Sequence, residues 1–86
     1  RKMENYLKNI EDKLNKKIKF EKLEIIDNSH KHKGHRYFRE DRYHLHIKIE
    51  SSYLSSMSRL NAQKIIMNIL KEDLNTKIHA LEISID

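Results

Sequence analysis

The chain has 86 residues and a mass of 10.5 kDa, a size that accommodates one small domain. It contains no cysteine, one glycine and no proline. This composition excludes disulfide bonds, a cysteine metal site built by this chain alone, phosphate-binding loops that need several glycines, and proline-rich ligands. No apolar run approaches the ~20 residues of a membrane-spanning helix, so we expect no membrane contact.

The positive charge and the histidines are unevenly distributed. The net charge is +5 at pH 7, and residues 1–43 hold 13 Lys and Arg against 8 Asp and Glu, whereas residues 44–86 hold 5 of each. Five of the six histidines lie between residues 30 and 46. Because histidine titrates near pH ~6.5, this window gains positive charge on mild acidification. No signal-peptide pattern is present, and we expect an intracellular location, in the cytoplasm or the mitochondrial matrix, rather than secretion.

The first third of the chain predicts a helix followed by a strand. A helix over residues 2–16 is indicated by apolar residues at spacings of three and four, namely Met3, Leu7, Ile10 and Leu14. A strand over residues 20–27 is indicated by the alternation of Leu23 and Ile25 with polar residues.

A long loop separates this strand from a second one. Residues 28–42 show no hydrophobic period and contain the only glycine, so we predict a loop whose length of ~15 residues suggests a function. Residues 43–50 alternate strictly, which predicts a half-buried strand with one face in water. Its inward residues are Leu45, Ile47 and Ile49, and its outward residues are His44, His46, Lys48 and Glu50.

The last third predicts a second helix and a third strand. Ser56 and Ser58 are candidates to cap a helix over residues 58–74, and Asn75 is a candidate to end it in a left-handed conformation. The apolar stripe of this helix consists of Ala62, Ile65, Ile66, Ile69, Leu70 and Leu74. Residues 79–85 alternate again and predict a strand. The inward residues of that strand are Leu81, Ile83 and Ile85.

The predicted order is α-β-β-α-β in a single α+β domain spanning residues 1–86. The first two strands can pair antiparallel across the long loop. The helix between the second and third strands fits a right-handed crossover and parallel pairing. We therefore predict a three-stranded mixed sheet with the helices on one face and the other face open.

Five short motifs lie on these elements. In chain order they are Leu23-Glu24-Ile25-Ile26-Asp27-Asn28-Ser29, His44-Leu45-His46-Ile47, Glu50-Ser51, Leu70-Lys71-Glu72-Asp73-Leu74 and Ile78-His79-Ala80-Leu81. Each is weak alone, but together, in order and at this spacing, they closely resemble the BolA-like family from about Phe20 to Ile83. The resemblance implies a fold similar to class II KH domains. It also implies a role in iron–sulfur and iron regulation through a monothiol glutaredoxin partner.

The resemblance also implies a set of cluster ligands. In the family, a histidine before Ala-Leu on the last strand and a His or Cys of the long loop bind a 2Fe–2S cluster, together with cysteines of the glutaredoxin and its glutathione. By position the strand ligand is His79. The loop ligand is His32, with His30 and His35 as competitors, which places the chain in a histidine-loop subgroup. Imidazole can replace thiolate on such a cluster, as it does in Rieske centres.

His44 and His46 allow two interpretations. They share one face of the second strand roughly 6.5–7 Å apart, a spacing that permits a His-x-His metal chelate. The alternative is two solvated histidines on an open sheet face. His44 also matches a position that is commonly histidine in the family, where it would orient a ligand or hydrogen-bond the loop.

A rival function is that of a KH-like nucleic-acid-binding transcriptional regulator that makes weak DNA contacts. The sequence pI of about 9.5 supports it. The candidate contact residues are Lys64, Lys31, Lys33 and Arg36. Against it, KH domains clamp the nucleic-acid backbone with a GXXG loop, which one glycine cannot form. The predicted helix over residues 58–74 carries Ala62-Gln63-Lys64 at positions where family members often carry Arg-His-Arg. The turn before this helix is Leu54-Ser55-Ser56, where family members often carry Phe-x-Gly.

No nucleophile–base motif or paired acidic cleft is apparent, so we predict that the chain is not an enzyme. The leading prediction is a partner protein that forms a heterodimer with a monothiol glutaredoxin. Its cofactor is a 2Fe–2S cluster that the two proteins share. The isolated chain, with too few ligands and no thiolate, is expected to be a monomer without a cluster.

Overall fold

The computed structural model describes residues 2–28 and 43–86, and these ranges form helices around a small sheet. The elements, in chain order, are helix α1 (Lys2–Lys17), strand β1 (Lys22–Asp27), strand β2 (Tyr43–Glu50), helix α2 (Ser52–Ser55), helix α3 (Arg59–Ile69), helix α4 (Lys71–Thr76) and strand β3 (Ile78–Ile85). The predicted loop covers residues 28–42, and all of it except Asn28 lies outside the described residues. Among the helices of these two ranges, none combines the length and the apolar character needed to cross a membrane.

The strands form one mixed sheet in the order β1-β2-β3. β1 pairs antiparallel with β2, which places Ile25 opposite Ile47. β2 pairs parallel with β3, which places Ile47 beside Ile83, and α2, α3 and α4 form the crossover between these two strands. The predicted α+β fold with a three-stranded mixed sheet is therefore confirmed.

The core lies between the helices and one face of the sheet. On β2 the inward Leu45, Ile47 and Ile49 are buried, whereas the outward Lys48 and Glu50 are exposed. The other buried apolar residues are Tyr6, Ile10, Leu14, Ile18, Leu54, Ala62, Ile66, Leu70 and Ile78. These residues form one core cluster between the helices and the sheet, so among the described residues no helix covers the opposite side, which we call the open face.

Helix α1 packs on the core through residues spaced four apart. Tyr6, Ile10 and Leu14 are buried, and Ile18, just beyond the helix, continues the series. The predicted helix ended one residue earlier, and its predicted stripe contained Leu7 but not Tyr6. The structure buries Leu7 only in part.

The turn from β2 into the crossover depends on a buried serine. The Ser51 hydroxyl accepts a hydrogen bond from the Leu54 backbone N–H at 3.0 Å, which caps α2, and donates to the Lys19 carbonyl at 2.7 Å. The Ser51 N–H donates to the Asp86 carbonyl at 2.9 Å. Ser51 therefore joins the end of the α1 region, the start of the crossover and the end of β3.

The two predicted capping serines have different roles. Ser58 caps α3, since its hydroxyl accepts from the Asn61 backbone N–H at 3.1 Å. Ser56 is not an N-cap, because it follows Ser55 as the C-cap of α2.

The prediction of one continuous helix over residues 58–74 is wrong, because two helices occupy this segment. α3 ends at Ile69, and Leu70 leaves the helical conformation with φ −100° and ψ 18° before α4 begins. Glu72 and Asp73 then lie in the first turn of α4, where the helix dipole favours acidic side chains.

Three predicted boundaries also differ. Asn75 does not end the helix in a left-handed conformation, because it lies inside α4, and the helix ends before Lys77, whose φ is −122°. β1 begins at Lys22 rather than at Phe20, and β3 begins at Ile78, one residue earlier than predicted.

Candidate functional site

An irregularity in the pairing of β2 with β3 determines where the histidines lie. Tyr43 pairs with Ile78, but the next residue of β2, His44, pairs with Ala80, so His79 is an extra residue in β3. Ile78 is buried on the helix side, whereas His79 and Ala80 are both exposed. This β-bulge changes the direction of a side chain that strict alternation would turn inward. It therefore places His79 on the open face together with Ala80.

His44 and His79 consequently lie side by side on the open face, and we call them the histidine pair. Their ring centroids are 5.0 Å apart, and the ring planes are inclined by 54°. His79 is exposed, whereas His44 is half-buried and its Nδ1 atom is shielded from solvent. The structure thus brings two of the predicted site residues together.

His46, two residues further along β2, has a different partner. Its Nε2 atom lies 2.7 Å from the Ser84 hydroxyl on β3, and the tautomer of the ring determines which of the two donates. Both His44 and His46 are half-buried, so neither is a fully solvated histidine. Because Ser84 holds the ring of His46, the geometry favours His79 over His46 as the histidine that acts with His44.

The segment with the predicted loop ligands begins and ends beside the histidine pair. The Asn28 N–H donates to the His44 carbonyl, and the Tyr43 N–H donates to the Lys77 carbonyl, each at 2.7 Å. These two bonds fix where the chain leaves the sheet and where it returns. The predicted loop ligands lie outside the described residues; they are His30, His32 and His35.

The described donor groups at this end of the sheet are two histidines. Within residues 2–28 and 43–86, no group of three or more His, Asp or Glu could hold a metal ion. The histidine pair offers two imidazoles, of which His79 is the more accessible. Imidazole binds zinc, copper and iron, including the iron of 2Fe–2S clusters. Among the described residues, the histidine pair therefore has the chemistry to contribute nitrogen ligands to such a centre.

A second polar cluster, not identified from the sequence, lies on the helix side of the sheet at the same end. Asp73 is buried and accepts hydrogen bonds from the Tyr6 hydroxyl at 2.7 Å and from Lys13 Nζ at 2.5 Å. The Tyr6 ring stacks on Tyr43 at a centroid distance of 4.6 Å. We call Tyr6, Lys13, Tyr43 and Asp73 the Asp73 cluster. It connects α1, α4 and the first residue of β2.

The environment of Tyr6 strongly disfavours its ionised form. Burial raises the pKa of the Tyr6 hydroxyl well above its usual range, and the hydrogen bond to Asp73 and the negative charge of Asp73 raise it further. Two spacings in the sequence indicate that Tyr6 and Asp73 face inward, although neither spacing shows that they are in contact. Tyr6 precedes Ile10 by four residues on α1, and Asp73 follows the buried Leu70 by three.

The residues proposed for nucleic-acid contact are only partly described. Lys64 lies on α3 and is exposed. Lys31, Lys33 and Arg36 fall outside the described residues, so nucleic-acid binding stays a prediction.

Comparison with known proteins agrees with the fold. The BolA-like protein family matches residues 14–86 of the chain. An uncharacterized protein in the cobS 5′ region of Sinorhizobium sp is 36% identical over 76 residues, which are 86% of this chain and 82% of that protein. The chloroplastic protein BOLA1 of Arabidopsis thaliana is 31% identical over 84 residues, 94% of this chain and 52% of that protein. The chain thus spans about half the length of the Arabidopsis relative.

A solved structure shows the same architecture. The BolA domain of SufE1 from Arabidopsis thaliana superimposes with a TM-score of 0.76 at 28% sequence identity, over 91% of this chain and 86% of that domain. The family match, the two relatives and the shared fold lead to one conclusion: the chain belongs to the BolA-like protein family.

Proposed function

We propose that this BolA-like chain is a non-enzymatic partner of a monothiol glutaredoxin and shares a 2Fe–2S cluster with it, for cluster delivery or iron regulation. A location in the cytoplasm or the mitochondrial matrix goes with this role. The observation that carries the proposal is the β-bulge in β3. It turns His79 onto the open face of the sheet, where the side chain is exposed to a second protein.

In this proposal His79 is the ligand from the strand. The second ligand of this chain comes from the loop, with His32 first and His30 and His35 as the alternatives. The hydrogen bonds of Asn28 and Tyr43 support this arrangement, because they hold both ends of the loop segment next to the histidine pair. The remaining ligands are thiolates, which this chain lacks and the glutaredoxin and its glutathione supply.

The cluster, when bound, supplies redox-active iron whose potential rises when imidazole replaces thiolate. The chain itself contributes the position of the ligand. The His44 ring, half-buried and 5.0 Å from the His79 ring, restricts the side-chain conformations that His79 can adopt. His44 therefore acts as a positioning residue that reduces the entropy lost when His79 binds the cluster.

The test is a titration of a cluster-loaded monothiol glutaredoxin with the chain. We expect a heterodimer in native mass spectra and a change in the visible absorption of the cluster, because its ligands change from thiolate to imidazole. His79→Ala should abolish the spectral change. The matched control is His46→Ala, which removes a histidine from the same sheet face and should leave the change intact.

Two results would contradict the proposal. One is a visible spectrum that stays the same after mixing, and the other is a His79→Ala variant that behaves like the wild type. Circular dichroism of each variant before mixing establishes that it is folded, so a lost spectral change reports on the ligand.

A further inference from the structure

We propose that the groove between the end of α1 and the junction of α3 with α4 is a docking site for a short acidic segment of a partner protein. The groove has a volume of about 440 Å³, and it is lined by the last turns of α1, the end of α3 and the start of α4. We call this surface the lysine groove, and its principal lining residues are Lys13, Lys16, Lys17, Ile69, Lys71 and Glu72. The site does not depend on the glutaredoxin partnership proposed above.

The lysine groove lies on the helix side of the sheet, away from the histidine pair. Helix α1 starts beside the first residue of β2, since the Tyr6 ring stacks on Tyr43. It runs toward the other end of β2, where the Lys19 carbonyl accepts a hydrogen bond from the Ser51 hydroxyl. The lysines in the last turns of α1 therefore lie away from the end of the sheet that carries His79. The lining residues named above all belong to the described ranges.

Most of the positive charge in the groove is not neutralised by the fold. Lys13 is already paired with the buried carboxylate of the Asp73 cluster. No described residue forms an ion pair with Lys16, Lys17 or Lys71, and all three are exposed. Glu72 is the one acidic residue among the lining residues named above. Three unpaired positive charges against one negative charge leave the groove with an excess of +2, which suits an anionic ligand.

The position of Lys71 is not explained by helix stability. A helix dipole favours cations near the C-terminus of the helix and disfavours them near its N-terminus. Lys16 and Lys17 lie in the last turn of α1, where positive charge is favourable, but Lys71 is the first residue of α4, where it is unfavourable. Local arrangements that oppose folding are expected at functional sites. The charge of Lys71 therefore indicates that the groove binds a ligand.

The lining favours an acidic peptide over a nucleic acid. Ile69 is half-buried and packs against the core, and the neighbouring Asn68, which also lines the groove, is exposed. Protein interfaces combine apolar contacts with a polar rim, and an amide side chain can hydrogen-bond a peptide backbone. Among the described lining residues there is neither an aromatic ring for base stacking nor an arginine for bidentate phosphate binding. A segment with several carboxylates and one apolar side chain matches this chemistry.

A segment bound in the lysine groove does not cover the open face. The groove lies among the helices on one side of the sheet, whereas His79 is exposed on the other side. The chain can therefore hold an acidic segment on its helix side and a second protein on its open face at the same time.

The first experiment measures binding of a probe peptide to the isolated chain by fluorescence anisotropy. The probe is a short labelled peptide in which glutamates flank one central leucine. We expect binding that weakens steeply between ~0.01 M and ~0.1 M salt, where the Debye length shortens from about 30 Å to about 10 Å. The counterpart peptide with glutamine in place of glutamate should not bind. A glutamate peptide that fails to bind at low salt, or that binds without salt dependence, overturns the proposal.

Two triple variants, each checked for folding by circular dichroism, test whether the groove itself binds the probe. Lys16→Gln,Lys17→Gln,Lys71→Gln should weaken binding roughly 10-fold, because each exposed ion pair contributes a factor of about 2 to 5. The matched control removes the same net charge from exposed residues outside the groove and should weaken binding less than about 2-fold. This control is Lys22→Gln,Lys48→Gln,Arg59→Gln. Equal weakening in the two variants overturns the proposal, because net charge would then account for the binding.

A second experiment identifies the contact surface and the class of ligand. Backbone amide resonances of residues 13–17 and 68–72 should shift when the peptide is added, and shifts found only elsewhere contradict the site. A single-stranded DNA oligonucleotide of equal charge is then compared with the peptide. Tighter binding of the peptide supports the proposal, whereas tighter binding of DNA through the same lysines overturns it in favour of nucleic acid. None of these measurements includes a glutaredoxin, so failure of that partnership leaves their outcome unaffected.

Discussion

Two polar clusters lie at the same end of the sheet, on opposite faces, and their environments differ. The Asp73 cluster is enclosed between α1, α4 and β2, and the Asp73 side chain is almost entirely buried. The histidine pair lies on the open face, where His79 is exposed. A buried carboxylate must be hydrogen-bonded or paired, whereas an exposed imidazole can be hydrated. The comparison indicates that one cluster stabilises the fold, whereas the other presents an exposed side chain at the surface.

The two clusters are also connected through the backbone. Tyr43 packs on Tyr6 through its ring, and its N–H donates to the Lys77 carbonyl two residues before His79. The buried cluster therefore fixes the start of β2 and the approach to β3, where the bulge occurs. Variants on the two faces can test whether stability and ligand binding are separable.

The largest expected effect is that of Asp73→Ala on stability. The change leaves the Tyr6 hydroxyl buried without its acceptor and Lys13 without its partner, and we expect the free energy of unfolding to fall by about 2–3 kcal/mol. This value is at the low end for a buried ion pair because Lys13 is about half exposed. Urea unfolding followed by circular dichroism measures it.

The matched control for Asp73→Ala is Asp12→Ala on α1. Asp12 forms an exposed ion pair with Lys8 at 3.6 Å, and such a pair contributes less than about 0.5 kcal/mol. Similar losses of unfolding free energy in the two variants would contradict this expectation, because they would show that burial gives Asp73 no special role.

The next effect is a dependence of stability on alkaline pH that originates from Tyr6. The pKa of Tyr6 is raised in the folded protein, so the unfolded chain loses the hydroxyl proton near pH ~10 while the folded protein retains it. The contribution of Tyr6 to the free energy of unfolding is fully present below pH ~10. Above it, the free energy of unfolding falls by up to about 1.4 kcal/mol per pH unit. The free energy of unfolding, measured at several pH values between 8 and 11, a range of about three units around the tyrosine pKa, should fall more steeply with pH for the wild type than for Tyr6→Phe. Parallel curves would contradict the assignment.

The smallest expected effect is that of His79→Ala on stability. Because His79 is exposed and its backbone, not its side chain, forms the sheet, we expect a change of less than about 0.5 kcal/mol. The same variant should lose the spectral change with the glutaredoxin. A large loss of stability would instead indicate that the histidine pair is part of the fold.

Much of the fold could be predicted from the sequence because the hydrophobic period is regular. The alternation of Leu45, Ile47 and Ile49 predicts β2 with its inward face and its bounds. The break at Leu70 could not be predicted in the same way. No glycine or proline lies there, and the apolar stripe continues across it from Ile66 to Leu74.

The site could be predicted less completely. The resemblance indicates His79 and His44, but their contact depends on the bulge, which no glycine marks. Its only trace in the sequence is a change of phase, since Ile78 and Leu81 both face the core although they are three residues apart. The Asp73 cluster escaped prediction because its partners, Tyr6 and Lys13, are about sixty residues away in the chain.

The parallel pairing of β2 with β3 has a practical consequence. His79 lies at the start of β3, whereas Asp86 follows its other end and is bonded to Ser51 and Ile49. Ile85 lies six positions beyond His79 along β3, a distance of about 20 Å. A fluorophore, an affinity tag or another polypeptide joined beyond Asp86 would therefore emerge far from the histidine pair. Immobilised or labelled chains made in this way should keep the open face accessible for the measurements described above.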